Sequence, residues 1–274
     1  MTRLALKAAG LTDTGKARSN NEDAVWVDQS NKLLIVADGM GGYQAGEVAS
    51  GMAIQSIPSS FEQLRRTHSA GEVTDNRLSE ETNRLGFCFK MANQMIYEAA
   101  KRDPQDFGMG TTCTAALIND SRLSLAHVGD SRCYLIRRGE IEQLTEDHSF
   151  VMEQVRHGLL SIDDEAVKTN QNILTRSLGR SEDVKIDLLE YPLLPDDILL
   201  LCSDGLGKEL SDAQVLETVM EKPAPESFVP RLVEMANAAG GRDNISVVGA
   251  RIEKAGLGET IRAFFKRWRF VSDA

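Results

Sequence analysis

Leu33-Leu34-Ile35-Val36-Ala37-Asp38-Gly39-Met40-Gly41-Gly42 is the stretch that decides how the chain is read. Four apolar residues of strand type, Leu33 to Val36, lead to one carboxylate, Asp38, and then to a turn rich in glycine. An acid at a strand end is held by a rigid element, and Gly39, lacking a Cβ, leaves its carbonyl open to anything bound beside Asp38. That combination suits a hard cation. Asp-Gly after a strand is also the strongest short hairpin signal. Two features count against a hairpin. Residues 45–57 repeat small and apolar side chains at helical spacing until Pro58, and the strand-acid-glycine arrangement returns at Ile198 to Gly205, ILLLCSDG. The unit therefore reads strand, acidic turn, helix. The phosphate loops GxGxxG and GxxxxGK[ST] are missing, as is the calcium loop of the EF-hand.

Composition narrows the function classes. With 42% hydrophobic residues in 274, the chain can bury a sizeable core, and its length fits one large domain or two small ones. A balance of 31 Lys and Arg against 41 Asp and Glu leaves a net charge of −10, so the body repels nucleic acid. Cys88, Cys113, Cys133 and Cys202 stand singly in apolar segments without CxxC spacing, which reads as buried thiols in a reducing compartment. The opening MTRLALKAAG is too short and too weakly apolar for a signal peptide, and no run approaches the roughly 18 apolar residues of a membrane span. A soluble, cytoplasmic protein is expected.

Leu4 to Ala9 is read as an edge strand, and residues 12–21 as a polar loop leading into RSNNED, Arg18 to Asp23. Ala24 to Asp28 then forms a strand, and Asn31-Lys32 turns the chain into the Asp38 strand, so two acidic groups can meet at one end of a sheet. Successive strand residues face opposite ways, so Glu22 and Asp23 both ligate one ion directly only where the backbone is irregular. Arg18 carries a planar guanidinium that suits a pair of phosphate oxygens, or else pairs with a surface acid. A long helix is expected over Arg77 to Lys101, followed by a meander of Thr111 to Ile118, Leu123 to Val128 and Arg132 to Ile136. Gly129-Asp130-Ser131-Arg132 places another carboxylate at a strand end. From Leu144 to Asn172 the pattern turns polar and short-helical, as in a flap over a site. His127, in an apolar run, reads as core, and His148 as a cap or turn partner rather than a catalytic base. Strands at Val184 to Tyr191 and Ile198 to Cys202 follow, then helices at Ser211 to Glu221 and Glu226 to Ala239, and a last strand at Ile245 to Ile252 with Asp243 at its head. No Pro, Gly or Ser-rich linker divides the chain, so one domain, 1–253, with a tail, 254–274, is expected.

Glu22, Asp23, Asp38, Asp130, Asp204 and Asp243 are thus acids at strand ends or turns, with no histidine or cysteine ligand set. Oxygen-only ligation selects Mg²⁺ or Mn²⁺, and the spacings alone support a carboxylate-metal hydrolase. The strings RSNNED, VADGMGG, GMGTT, HVGDSR, LTEDHS, LCSDGL and GGRDNIS, in this order between Arg18 and Ser246, closely resemble the bacterial branch of the protein phosphatase 2C family. The resemblance implies an α+β fold, a four-layer α-β-β-α sandwich of two antiparallel sheets flanked by helix pairs. It also implies hydrolysis of phosphoserine and phosphothreonine on proteins, opposing a serine/threonine kinase. Carried onto this chain, it makes Asp38 the bridge between two core Mn²⁺ or Mg²⁺ ions, with Asp204 and Asp243 on the first and the Gly39 carbonyl on the second. Glu22 and Asp23 would support the second ion, Asp130 with Asp204 a third and weaker one, and Arg18 the phosphate. Animal relatives place a histidine, a proposed general acid, two residues after the bridging acid. This chain has Met40 there, which leaves the proton donor unassigned.

A monomer acting on phosphoproteins is expected. Two rivals stay open: a phosphoprotein-binding module without chemistry, against which the intact acid set counts, and a hydrolase of small phosphate esters. Beyond Ile252 the resemblance stops. Ile261, Phe264, Phe265 and Trp268 follow i, i+3, i+4, i+7 among Arg262, Lys266, Arg267 and Arg269, an amphipathic cationic helix that would dock on its own domain, a partner or an anionic membrane.

Overall fold

The computed structural model describes residues 4–42, 45–67, 69, 71, 75–161 and 173–254. The strands are β1 (Leu4–Asp13), β2 (Asp23–Asp28), β3 (Leu33–Met40), β4 (Gly110–Thr111), β5 (Cys113–Asn119) and β6 (Arg122–Val128). They continue as β7 (Arg132–Arg137), β8 (Glu140–Gln143), β9 (Asp187–Pro192), β10 (Ile198–Cys202) and β11 (Ile245–Lys254). The helices are α1 (Ala45–Arg66), α2 (Glu80–Arg102), α3 (Phe150–Arg156), α4 (Asp204–Gly207), α5 (Asp212–Glu221) and α6 (Pro225–Ala239).

Among these residues the strands form two antiparallel sheets, ordered β1-β11-β10-β7-β8 and β2-β3-β5-β6-β9, with β4 paired to β3. The apolar runs of β3 and β10 are buried on both faces, and strand alternation sorts their side chains between layers. Leu34 and Val36 of β3 join Leu199 and Leu201 of β10 between the sheets. Leu33, Ile35 and Ala37 face α1 and α2 instead, and Ile198, Leu200 and Cys202 face α5 and α6. Three stacked apolar layers between four layers of structure make the α-β-β-α sandwich that the family resemblance implies.

Several boundaries differ from the sequence reading. The helix after Asp38 does not stop at Pro58 but runs on to Arg66. Proline removes a single N–H, while Ala49, Ala53, Ile57 and Phe61, spaced four apart, keep one face in the core across it. The next helix begins at Glu80 rather than Arg77, because the Ser79 side chain caps it by accepting from the Thr82 N–H. The edge strand reaches Asp13, and the strand expected from Val184 begins at Asp187. Of the flap segment, residues 144–161 are described, with α3 capped by Ser149 and not His148; residues 162–172 lie outside the described set. The tail helix expected from residues 261–268 also lies outside it. All four cysteines are buried free thiols, and no helix among the described residues is long and apolar enough to cross a membrane.

Candidate metal centre

Antiparallel register sets Asp23, the first residue of β2, directly across from Asp38 on β3. The Asp38 backbone is fixed from the other side. Its N–H donates to Thr112 Oγ1 at 3.0 Å, and its carbonyl accepts from the Thr112 N–H at 2.8 Å and Thr111 Oγ1 at 2.9 Å. The GMGTT string therefore clamps the acid in place. Gly39 donates its N–H to the Glu22 carbonyl, and a Cβ there would lie 2.0 Å from the Gly46 carbonyl oxygen, so only glycine lets the start of α1 close on the strand end. Glu22 lies beside that helix start, its Oε2 2.9 Å from where a Cβ on Gly46 would be. Glu22 lies just outside β2, which begins at Asp23, so the backbone between these two acids is not regular strand.

The second sheet brings Asp204, which opens α4 after β10, and Asp243 just ahead of β11. Ser203 ties the sheets together: its hydroxyl donates to Asp23 Oδ2 at 2.7 Å and accepts from the Ser246 N–H at 3.0 Å. Asn244 does the same for the RSNNED loop. It accepts from the Glu22 N–H at 2.9 Å and donates to the carbonyls of Thr14 and Asn20, both at 2.9 Å. Arg18 reaches Asp243, Nε to Oδ1 at 2.9 Å, with half its side chain exposed.

Burial and mutual repulsion hold most of these acids reluctant to ionise. Burial, opposed by the Ser203 hydrogen bond, lifts Asp23 to about 6. Burial and then Asp204 lift Asp130 to about 7. Asp38 is pushed well above the usual carboxylate range by burial and then by Asp23, Asp204, Asp130 and Asp243, so all five acids share one field. Asp204 is raised by burial against the pull of Lys208. Asp243 is the exception: burial opposes its ionisation, but Lys208 and Arg18 outweigh it and lower the pKa.

Lys208 was not singled out by the sequence reading. Its ammonium stands 2.6 Å from Asp204 Oδ2 and 2.8 Å from Asp243 Oδ2, the very pair expected to hold the first metal. Asp23 Oδ1 and Asp204 Oδ1 are buried acceptor oxygens without a hydrogen-bond partner. Such atoms are costly, and a cation would satisfy them. Among the described residues no three acid, His or Cys side chains form a ready-made cage. The donor set, all oxygen and partly unsatisfied, fits Mn²⁺ or Mg²⁺ once Lys208 moves aside.

The family described as protein phosphatase 2C matches residues 15–248. The chain belongs to the protein phosphatase 2C family. A serine/threonine phosphatase, stp, of Listeria welshimeri is 36% identical over 240 residues, covering 86% of this chain and 92% of its own. The crystal structure of the Mycobacterium tuberculosis serine/threonine phosphatase PstP/Ppp superimposes with a TM-score of 0.79 at 36% identity, over 90% of this chain and 99% of that one. A second crystal structure, the PstP catalytic domain in complex with two manganese ions, gives a TM-score of 0.77 at 36% identity, over 91% and 99%.

In this phosphatase Asp130 sits in the crossover from β6 to β7, which passes from one sheet to the other. The turn is braced by His148, whose Nδ1 accepts from the Gly129 N–H at 3.0 Å and whose Nε2 meets Asp187 Oδ2 at 3.0 Å. His127 packs on it, ring centroids 4.6 Å apart, and burial drives His127 down to about 3. A histidine so reluctant to take a proton is no general base near neutral pH. His127 is core, as expected. Lys208, Asn244 and Ser203 are the site residues that sequence reasoning missed.

Proposed function

We propose that this chain hydrolyses phosphoserine and phosphothreonine on proteins by direct attack of water on phosphorus, reversing the work of a serine/threonine kinase. The observation that carries it is the pair of buried, unpartnered oxygens on Asp23 and Asp204, which come from segments of the two different sheets, beside a carboxylate, Asp38, that burial and then four neighbouring acids push well above the usual carboxylate range. Asp38, Asp204 and Asp243 would hold a first Mn²⁺ or Mg²⁺, and Asp38, the Gly39 carbonyl and Glu22 with Asp23 a second. Asp130 and Asp204 would hold a third. Bound there, such ions lower the pKa of water toward neutrality and offset charge on the phosphoryl oxygens. The chain's own part is positional. Thr111 and Thr112 fix the Asp38 backbone, Ser203 orients Asp23, and Asn244 holds the RSNNED loop against both sheets. Arg18, reaching the site from an exposed position on Asp243, would exchange that carboxylate for two phosphate oxygens.

The test is phosphate release from a phosphothreonine peptide with manganese, with a chelator control. Asp38→Asn and Asp243→Asn are expected to lose turnover by at least a hundredfold, on the order of 3 kcal/mol, while keeping the fold. Near-native turnover by either purified variant would end the metal-site reading.

A further inference from the structure

Beside the metal centre the chain departs from its own overall charge. Arg176, Arg180 and Lys185 line a groove of about 680 Å³ with Met40 and Thr175, against one acid of the lining, Asp183, in a protein of net charge −10. The cations are not equivalent. Arg176 is committed, its Nη1 2.9 Å from Asp187 Oδ1 and 3.1 Å from His148 Nε2. Lys185 lies 3.9 Å from that same Asp187 with its side chain 74% exposed, a loose contact to a carboxylate already satisfied. Arg180 has no carboxylate partner among the described residues; its Nη1 makes a 4.0 Å contact with the Met40 sulfur.

Arg180 is also built into its place. A Cβ on Gly110 would fall 2.8 Å from Arg180 Cγ and 2.9 Å from the Leu178 carbonyl, so glycine at 110 lets the 178–180 segment lie along the end of β4. There Thr111 and Leu178 exchange backbone hydrogen bonds of 3.0 and 2.9 Å. The Arg180 stem is thereby laid across the continuation of the strand that carries Asp38. Met40 is two residues beyond that acid, about 7 Å along a strand. A peptide presenting its phosphoresidue to Asp38 and Arg18 would bring side chains two or three positions away over Met40 and under Arg180 and Lys185.

We infer that this groove selects phosphoproteins by an anionic side chain, Asp or Glu, two or three residues from the phosphoserine or phosphothreonine, with Arg180 as the principal contact and Lys185 as the second. The inference rests on the phosphatase reading above. An exposed charge pair contributes modestly, so the preference is roughly threefold to tenfold and shrinks as salt screens it.

Two sets of phosphothreonine peptides test it, alike except that glutamate or alanine stands at positions two and three on either side. The wild-type kcat/KM is expected to favour the glutamate peptides by roughly threefold to tenfold, and the ratio is expected to fall toward one in Arg180→Gln combined with Lys185→Gln. Equal rates on both sets with wild type, or a ratio unchanged in the double variant, overturn the inference. Fluorescence anisotropy of the same labelled peptides on the same proteins reads the groove without chemistry. Preferential binding of glutamate peptides without phosphate release from any peptide would overturn the phosphatase reading and leave the groove standing. Release without preferential binding would do the opposite.

Discussion

Lys208 follows Asp204 by four residues, and the single turn of α4 brings its ammonium back onto that carboxylate and onto Asp243. In the proposed site the metal would compete with this lysine for the same oxygens, so Lys208→Met should bind Mn²⁺ about tenfold more tightly by titration calorimetry, about 1.4 kcal/mol. The same change should lower the metal-free melting temperature, since charged hydrogen bonds of about 1.5–3 kcal/mol are lost. Unchanged affinity would mean the lysine never stands in the way. Asp130 supplies a pH signature. Its carboxyl titrates at about 7 in the fold against 3.8 in a free chain, so between those values the folded state keeps a proton that the unfolded state has lost. Stability of the metal-free protein from this group therefore falls as pH rises through that window. In chelator, Asp130→Asn should match wild type at pH 4 and gain on it steadily up to pH 7, by thermal melts; a constant difference would contradict the raised pKa. Asp38, Asp130 and Asp204 were legible because each sits beside glycine at a strand end, whereas Glu22, Asp23 and Asp243 lie in polar stretches and were picked out with the help of the family motifs. Lys208 and Asn244 were not legible. Lys208 matters only through the i+4 geometry of α4, and Asn244 through bonds to Glu22 and Asn20 from the far end of the chain.

At the level of elements, the strand ends and helix starts around the centre close on one another with no room for a methyl group. Gly39→Ala would press a Cβ to within 2.0 Å of the Gly46 carbonyl and 2.6 Å of the Glu22 carbonyl. The expected cost is about 1–3 kcal/mol in chelator, by denaturant midpoint, with loss of activity. Gly51, inside α1 with nothing within 4 Å, is the contrast: Gly51→Ala should stabilise by about 0.5–1 kcal/mol through helix propensity. If both variants behaved alike, the close approach of α1 to β3 would be wrong. Most strand and helix identities were readable from apolar alternation and capping residues, but β8, the short polar strand Glu140–Gln143, was not. The boundaries were less so, as at Pro58, where a helix continues because four buried side chains outweigh one missing N–H. No local signal sets the Asp23 to Asp38 register, which depends on how the turn at Asn31-Lys32 closes, with Lys32 at φ 56°.

Across the whole molecule, sheet order was the part furthest from the sequence. β1 pairs with β11, and β10 lies between β11 and β7, contacts between distant segments that periodicity cannot announce. The order places Asp23 and Asp38 on one sheet and Asp204 and Asp243 on the other, with Ser203 bonded across. At the opposite end Lys32 donates to the Leu4 carbonyl at 2.6 Å, a tie between sheets that needs no ion. Saturating manganese at about a hundred times its dissociation constant should add about 2.7 kcal/mol of stability. Hydrogen exchange should show where it goes: amides at Gly39, Thr112 and Ser203 slow on adding metal, while those at Leu34 and Ile252 keep their rates. Uniform slowing would deny a local effect. Held by the proposed ligands, the ions would act as a clasp on one edge of a folded leaf. Without them that edge would be held only by contacts such as Ser203 to Asp23 and Lys208 to Asp204 and Asp243, and it would be the first to open to proteases, so that scarcity of metal would shorten the lifetime of the protein along with its turnover.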